Sequence, residues 1–77
     1  MSENFQVPNR AVAVTPSDTT EVFASAIYVG SGGNVSVVTE GGDTVTFSNV
    51  PAGTTLVIRV TRIRATSTTA TNIVRMW

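Results

Sequence analysis

The side chains in this chain that could do chemistry fall into two small groups. Glu21, Glu40 and Asp43 are the carboxylates worth weighing as acid and base, and Arg59, Arg62 and Arg64 form the one cationic cluster. A carboxylate pair about 5–10 Å apart across a cleft suffices for glycoside hydrolysis. Glu40 and Asp43 instead flank Gly41-Gly42, where acidic residues are ordinary turn formers, and 77 residues leave little material for a cleft. The sequence holds no His, no Cys and no Lys, which removes the commonest general bases, nucleophiles and Schiff-base residues together. The same absences remove the imidazole and thiolate ligands of zinc and any disulfide. Glu40, Asp43 and nearby loop carbonyls bring too few oxygens together for calcium. Gly30-Ser31-Gly32-Gly33 looks like part of a phosphate-cradling loop, but it joins two strand-like runs instead of opening a helix, and no Lys follows it. The expectation is therefore no enzyme, with no catalytic residue, no metal and no cofactor.

Arg59, Arg62 and Arg64 beside Thr residues could meet phosphate or a polyanionic glycan. The simpler reading is a solvated or subunit-facing stripe that pairs with acidic turns. Five Arg balance five acidic residues, the net charge is zero and no run of like charge occurs, so no nucleic-acid partner is expected. Stacking platforms are scarce as well. Of the aromatics Phe5, Phe23, Tyr28, Phe47 and Trp77, Tyr28, Phe47 and Trp77 are read as core, with Trp77 packed in a core or an interface because a free terminus ending on Trp would expose a large apolar ring.

The elements that must position these residues are strands. Thirteen Thr and thirteen Val dominate the composition, and both types are stiff at χ1 and suit a pleated surface better than a helix. Short runs alternate with turn clusters of Gly, Pro, Asn and Asp, the spacing of a small sandwich or barrel. Ala24–Val29 ends at the Gly30–Gly33 turn cluster. Asn34–Glu40 and Thr44–Val50 form a hairpin around Gly41-Gly42-Asp43, the second of them with Val45 and Phe47 on a buried face. Asn49–Gly53 is a turn. Thr54–Ala65 reads as one long strand with Leu56, Ile58 and Val60 on one face, and a bulge between Val60 and Ile63 turns Ile63 inward while Arg62 and Arg64 stay out. Asn72–Trp77 is the last strand. The fold class is all-β, an antiparallel sandwich or barrel of about 5–7 strands. Residues 1–20, with Pro8 and Pro16, read as an extended arm holding a short strand at Arg10–Thr15, and residues 21–77 as a single β domain.

A domain this small is marginal alone, a single core supplying about 3–5 kcal/mol. With disulfides and thiolate or imidazole metal sites gone, a partner subunit is the remaining source of stability. With 13% charged and 42% hydrophobic residues, little keeps copies apart in solution. The opening Met-Ser-Glu-Asn-Phe-Gln lacks the basic and apolar regions of a signal peptide, and no apolar run approaches the ~20 residues of a membrane-spanning helix. A protein made in the cytoplasm, without a membrane span, is expected. Phe5 and Val7 of the arm, Arg59, Arg62 and Arg64 of the stripe, and Trp77 are the candidate interface.

Ala26-Ile27-Tyr28-Val29-Gly30, Gly33-Asn34-Val35, Gly41-Gly42-Asp43-Thr44-Val45-Thr46-Phe47 and Asn49-Val50-Pro51-Ala52-Gly53-Thr54 together resemble a family of small virion proteins, the head spike-base proteins of tailed bacteriophages and phage-like gene transfer agents. The likeness continues through Arg59-Val60-Thr61-Arg62 and Ala65-Thr66 to Ala70-Thr71-Asn72-Ile73-Val74, spanning about residues 24 to 77. It implies a β-structured virion protein on the outer capsid surface, holding a spike or fibre, with the major capsid protein, the spike or fibre protein and its own copies as partners and no enzymatic activity. A pentamer would match a fivefold vertex and a trimer a pseudo-threefold site; the spike-base resemblance favours the pentamer.

Overall fold

A computed structural model describes residues 8–77, so the expected interface positions Phe5 and Val7 lie outside the described residues. The β-branched runs form seven strands: β1 (Ala11–Val14), β2 (Ala26–Ser31), β3 (Gly33–Thr39), β4 (Thr44–Val50), β5 (Thr54–Leu56), β6 (Val60–Ile63) and β7 (Thr71–Met76). They make two antiparallel sheets, one in the order β1-β7-β2-β5 and the other β4-β3-β6. The all-β antiparallel fold expected from the composition is what forms. No helix among the described residues is long and apolar enough to cross a membrane.

Alternation along each strand supplies one apolar face per sheet, and the two faces meet. Ile27, Val29 and Ile73 of the four-stranded sheet and Val35, Val37, Val60 and Ile63 of the three-stranded sheet are all but fully buried in a shared core. Each such side chain contributes about 1.5–3 kcal/mol by leaving water.

The hairpin around Gly41-Gly42-Asp43 forms as read: Gly42 takes a φ of 97° and donates to the Thr39 carbonyl at 2.9 Å. The Thr39 hydroxyl accepts from the Asp43 N–H at 3.0 Å, which uses the acidic residue as a turn former.

Three expectations need correction. Gly30–Gly33 is not a turn between paired strands. It is a corner at which the chain leaves one sheet for the other, since β2 ends at Ser31 and β3 begins at Gly33 in different sheets. Here the glycines serve close approach: a Cβ on Gly30 would lie 2.7 Å from the Asn72 carbonyl oxygen, and one on Gly33 would lie 2.7 Å from the Ala70 nitrogen. The long run Thr54–Ala65 is likewise two strands, β5 in one sheet and β6 in the other, linked through Val57, Ile58 and Arg59. Alternation survives a change of sheet, so it could not report one. The bulge placed between Val60 and Ile63 is present: Val38 faces Arg62 and Thr39 faces Val60, which leaves Thr61 as the extra residue. Val60 and Ile63 are accordingly both buried, while Arg62 and Arg64 are not.

The third correction concerns the aromatics and β4. Val45 and Phe47 pair with Val37 and Val35 and so share the core-facing side of their sheet, yet Val45 is 38% exposed and Phe47 only half-buried. β4 is an edge strand, flanked by β3 on one side only among the described residues, and Phe47 reaches the core from its margin. Tyr28, 39% exposed, lies on the outer face of β2 beside Val74 and Thr55, and Trp77 is half-buried; neither is core.

Candidate functional site

The cationic cluster is built by β6 and its flanks. The bulge aims Arg62 away from the core, and each of the three arginines meets an acid from another segment. Arg59 Nη1 lies 3.7 Å from Glu40 Oε1, Arg62 Nη2 lies 3.5 Å from Glu21 Oε2, and Arg64 Nε lies 3.8 Å from Asp18 Oδ1. Exposed pairs of this kind are worth about 0–1 kcal/mol each. Their larger effect is on the field: with a carboxylate beside every guanidinium, the stripe has little net charge to offer a polyanion. Glu40 and Asp43, weighed as an acid and base, have other partners, Arg59 and the Thr39 hydroxyl respectively. Among the described residues no three acidic side chains converge as a metal site would require.

Asp18 lies in the connection between β1 and β2. Its Oδ1 accepts from the Thr66 N–H at 2.9 Å and its Oδ2 from the Thr66 hydroxyl at 2.6 Å, which latches the β1–β2 connection to the β6–β7 connection. Those two bonds, with help from the Ala65 backbone and the Arg64 charge, hold the Asp18 carboxyl below its usual value of 3.8. No local signal in the sequence marks this contact, because Thr66 lies far along the chain.

A group whose folded pKa is depressed contributes stability that is present above the unfolded pKa and lost as pH falls through the folded one. Asp18→Asn is therefore expected to lower the thermal midpoint at pH 7, with the gap to the parent chain closing as pH drops below 3.8. Thermal melts of both chains across pH 2.5 to 7 check this; a gap that does not change with pH would remove the charge from the explanation.

Trp77 ends beside β1. Its N–H donates to the Arg10 carbonyl at 2.9 Å, and its own carbonyl accepts from Asn9 and Arg10 at 2.9 and 2.8 Å. The Arg75 guanidinium lies 3.9 Å and that of Arg10 5.3 Å from the centre of its ring, contacts worth about 0.5–1 kcal/mol each where exposed. Arg75 also donates to the Phe23 carbonyl at 2.9 Å. Phe23, 60% exposed, joins Trp77, Glu40 and Arg59 around an open depression of about 190 Å³. Of the interface positions expected from sequence, Arg59 and Trp77 are thus brought together here, whereas Arg62 and Arg64 lie apart on their own ion pairs. Phe23, Arg10 and Arg75 carried no sequence signal as a group, being assembled from three separate segments.

Among the described residues two uncharged surfaces are open. One is the edge strand β4. The other is the outer face of the four-stranded sheet, where the register aligns Ala13, Val74, Tyr28 and Thr55 in one row with no charged side chain among them.

No protein-family model matches this chain, and no curated protein does. Among solved structures, it is similar to a chain in a structure described as the capsid of a native GTA particle computed with C5 symmetry. The two share 38% sequence identity at a TM-score of 0.82, and the match covers 92% of this chain and 84% of the other.

Proposed function

Because this chain belongs to the same protein family as that chain of the GTA particle capsid, we propose that it is a structural protein of a phage-like particle. In this reading it sits on the outer capsid surface and forms the base to which a head spike or fibre attaches. The observation that carries the reading is likeness of sequence and fold together: 38% identity over most of both chains reaches well beyond a shared sandwich architecture.

The chain's own physics supports assembly. Its core is small, its net charge is zero, and among the described residues an uncharged sheet face and an uncharged edge are open. Such surfaces gain by being shared with a neighbour. Self-association as a ring is the preferred form, a pentamer at a fivefold vertex, with the major capsid protein beneath and the spike or fibre protein above. Of the arm expected at residues 1–20, residues 9–18 are bonded into this chain's own sheets through β7, Trp77, Ile63 and Thr66, so the contacts with a neighbour or the capsid fall to the residues ahead of them and to the surfaces around Arg59, Arg62, Arg64 and Trp77. No reaction is assigned to the chain. A capsid cement that clamps subunits without carrying a spike is the variant of the same reading.

One observation favours a glycan-binding module as a second reading: Tyr28 is exposed. Its row neighbours, Ala13, Val74 and Thr55, lack the carboxylates and amides that hold sugar hydroxyls, so the ring fits better against a protein surface.

Light scattering on a size-exclusion column, over a range of concentrations, tests the assembly reading. A discrete pentamer is the expected result, and a trimer would move the site to a pseudo-threefold position. A monomer throughout would end the ring reading and leave the cement and glycan alternatives.

A further inference from the structure

We propose that Val57 of one copy seats in the groove between the parting ends of β1 and β7 in the next copy, a head-to-tail contact that builds a ring. The inference rests on the reading of the chain as a ring-forming particle protein, and names the two surfaces through which copies meet.

Val57 is the starting point. It lies in the link between β5 and β6 and is 84% exposed, more than any other large hydrophobic residue among those described. Its neighbours Leu56 and Ile58 pack against the core, so alternation along the run points Val57 the other way. A single exposed Val is ordinary on a protein surface. What sets this one apart is an apolar recess on the far edge of the same sheet.

The recess forms where β1 and β7 part. Val14 opposite Ile73 is their last pair. Beyond it Pro16 has no N–H to give a ladder, and the chain crosses to the other sheet, where the Ser17 N–H bonds the Ile63 carbonyl at 2.8 Å. On the other side β7 is entered from Ala70, whose N–H is tied to the Asn34 carbonyl at 3.1 Å. The two walls leave an open groove of about 400 Å³. Its lining includes the buried Ala70 and Ile73 and the half-buried Val14 and Pro16, with no charged side chain among the described residues. The Asn72 amide there already donates to the Ser31 hydroxyl at 2.9 Å. Such a lining suits an aliphatic side chain; a sugar or an ion would give up water without gaining partners.

Topology makes a second copy the occupant. In the sheet order β1-β7-β2-β5 the groove sits at one edge, and Val57 follows the strand at the other, about 14 Å away across the intervening strand spacings. The two cannot meet within one chain. Surfaces on opposite edges form a heterologous contact, which continues from copy to copy and closes into a ring when the rotation allows, whereas a contact between like surfaces stops at a pair. Val57 stands beyond Leu56, which pairs with Ile27, while the groove begins at Ile73, which pairs with Val29; the strands therefore lie oblique to the direction in which copies follow one another. Charge agrees with the fit. Arg59, two residues on from Val57, is paired with Glu40 at 3.7 Å, so the projecting link brings no net charge to an uncharged recess.

The chain has no cysteine, so single thiols report contacts cleanly. Val57→Cys assembled together with Thr15→Cys and oxidised with diamide is expected to give mixed disulfide dimers at several times the yield of Val57→Cys with Thr46→Cys, isotopic labelling of one partner identifying mixed dimers by mass. Thr15 lines the groove, whereas Thr46 is exposed on the other sheet. Val57→Asp is expected to turn the assembly into monomers. At concentrations where the parent is also monomeric, the two chains are expected to melt alike, because Val57 lies outside the core of its own chain. Equal crosslinking in both mixtures, or a Val57→Asp chain of unchanged assembly mass, would overturn the proposal while leaving self-assembly intact. A parent chain that is monomeric throughout would instead defeat the assembly reading, and this inference with it.

Discussion

Gly33→Ala is expected to leave the isolated chain largely unfolded at physiological temperature, whereas Gly41→Ala is expected to melt like the parent. Gly33 has a φ of 152° and stands where the chain passes from β2 to β3. An added Cβ would lie 2.7 Å from both the Ala70 nitrogen and the Thr69 hydroxyl. Neither atom is free to give way. The Thr69 hydroxyl accepts from the Asn34 N–H at 2.8 Å, while the Thr69 and Ala70 N–H groups donate to the Asn34 carbonyl at 2.9 and 3.1 Å. One step along, the Thr68 hydroxyl accepts from Ser36 at 2.9 Å. Backbone held in a region L-residues rarely adopt costs about 1–3 kcal/mol, and displacing this strap loses several hydrogen bonds at about 1 kcal/mol each. Together these approach the about 3–5 kcal/mol that a core of this size supplies. At Gly41 the nearest atoms to an added Cβ are 3.9 Å away, an ordinary contact. Circular dichroism melts of the two variants at one protein concentration decide the matter; a Gly33→Ala chain melting within a few degrees of the parent would show that the corner can relax.

Ile63→Ala is expected to cost about 2–5 kcal/mol, while Val57→Ala stays within about 0.5 kcal/mol of the parent. Both residues come from the same apolar run, Thr54–Ala65, and simple alternation puts them on the same face. The bulge at Thr61 separates them. Ile63 is 1% exposed and pairs opposite Val37 in the core, while Val57, in the link between β5 and β6, is 84% exposed. Losing the Ile63 side chain leaves a cavity among Val37, Val60 and their neighbours that a two-sheet core can close only in part. Denaturant titration measures both values. Equal costs at the two positions would mean that the register drawn here for β6 is wrong.

Much of the fold was legible in the sequence because the signals involved are local. Thr and Val content set the all-β class, Gly41-Gly42-Asp43 set a hairpin through backbone geometry that spans a few residues, and the clash of Arg62 with the apolar alternation revealed the bulge. The missing His, Cys and Lys spoke against conventional catalysis without reference to any fold.

What the tertiary structure alone decided depends on partners distant in the chain. Alternation states that a strand has two faces, but which sheet a strand joins is set by pairing, so Gly30–Gly33 read as a turn and Thr54–Ala65 as one strand. Burial is a property of what lies opposite: Val45 and Phe47 face the core side of their sheet, yet on the edge strand β4 Val45 stays 38% exposed and Phe47 only half-buried. The latch of Asp18 to Thr66 and the meeting of Phe23, Arg75 and Trp77 join segments that nothing in their own neighbourhoods marks. The sequence by itself thus determined that the chain forms strands, how its turns bend and that it lacks the usual catalytic side chains. Only the folded arrangement decided where sheets change, which apolar rows remain uncovered and which charges neutralise one another, since each of these is fixed by long-range packing and none by local propensity.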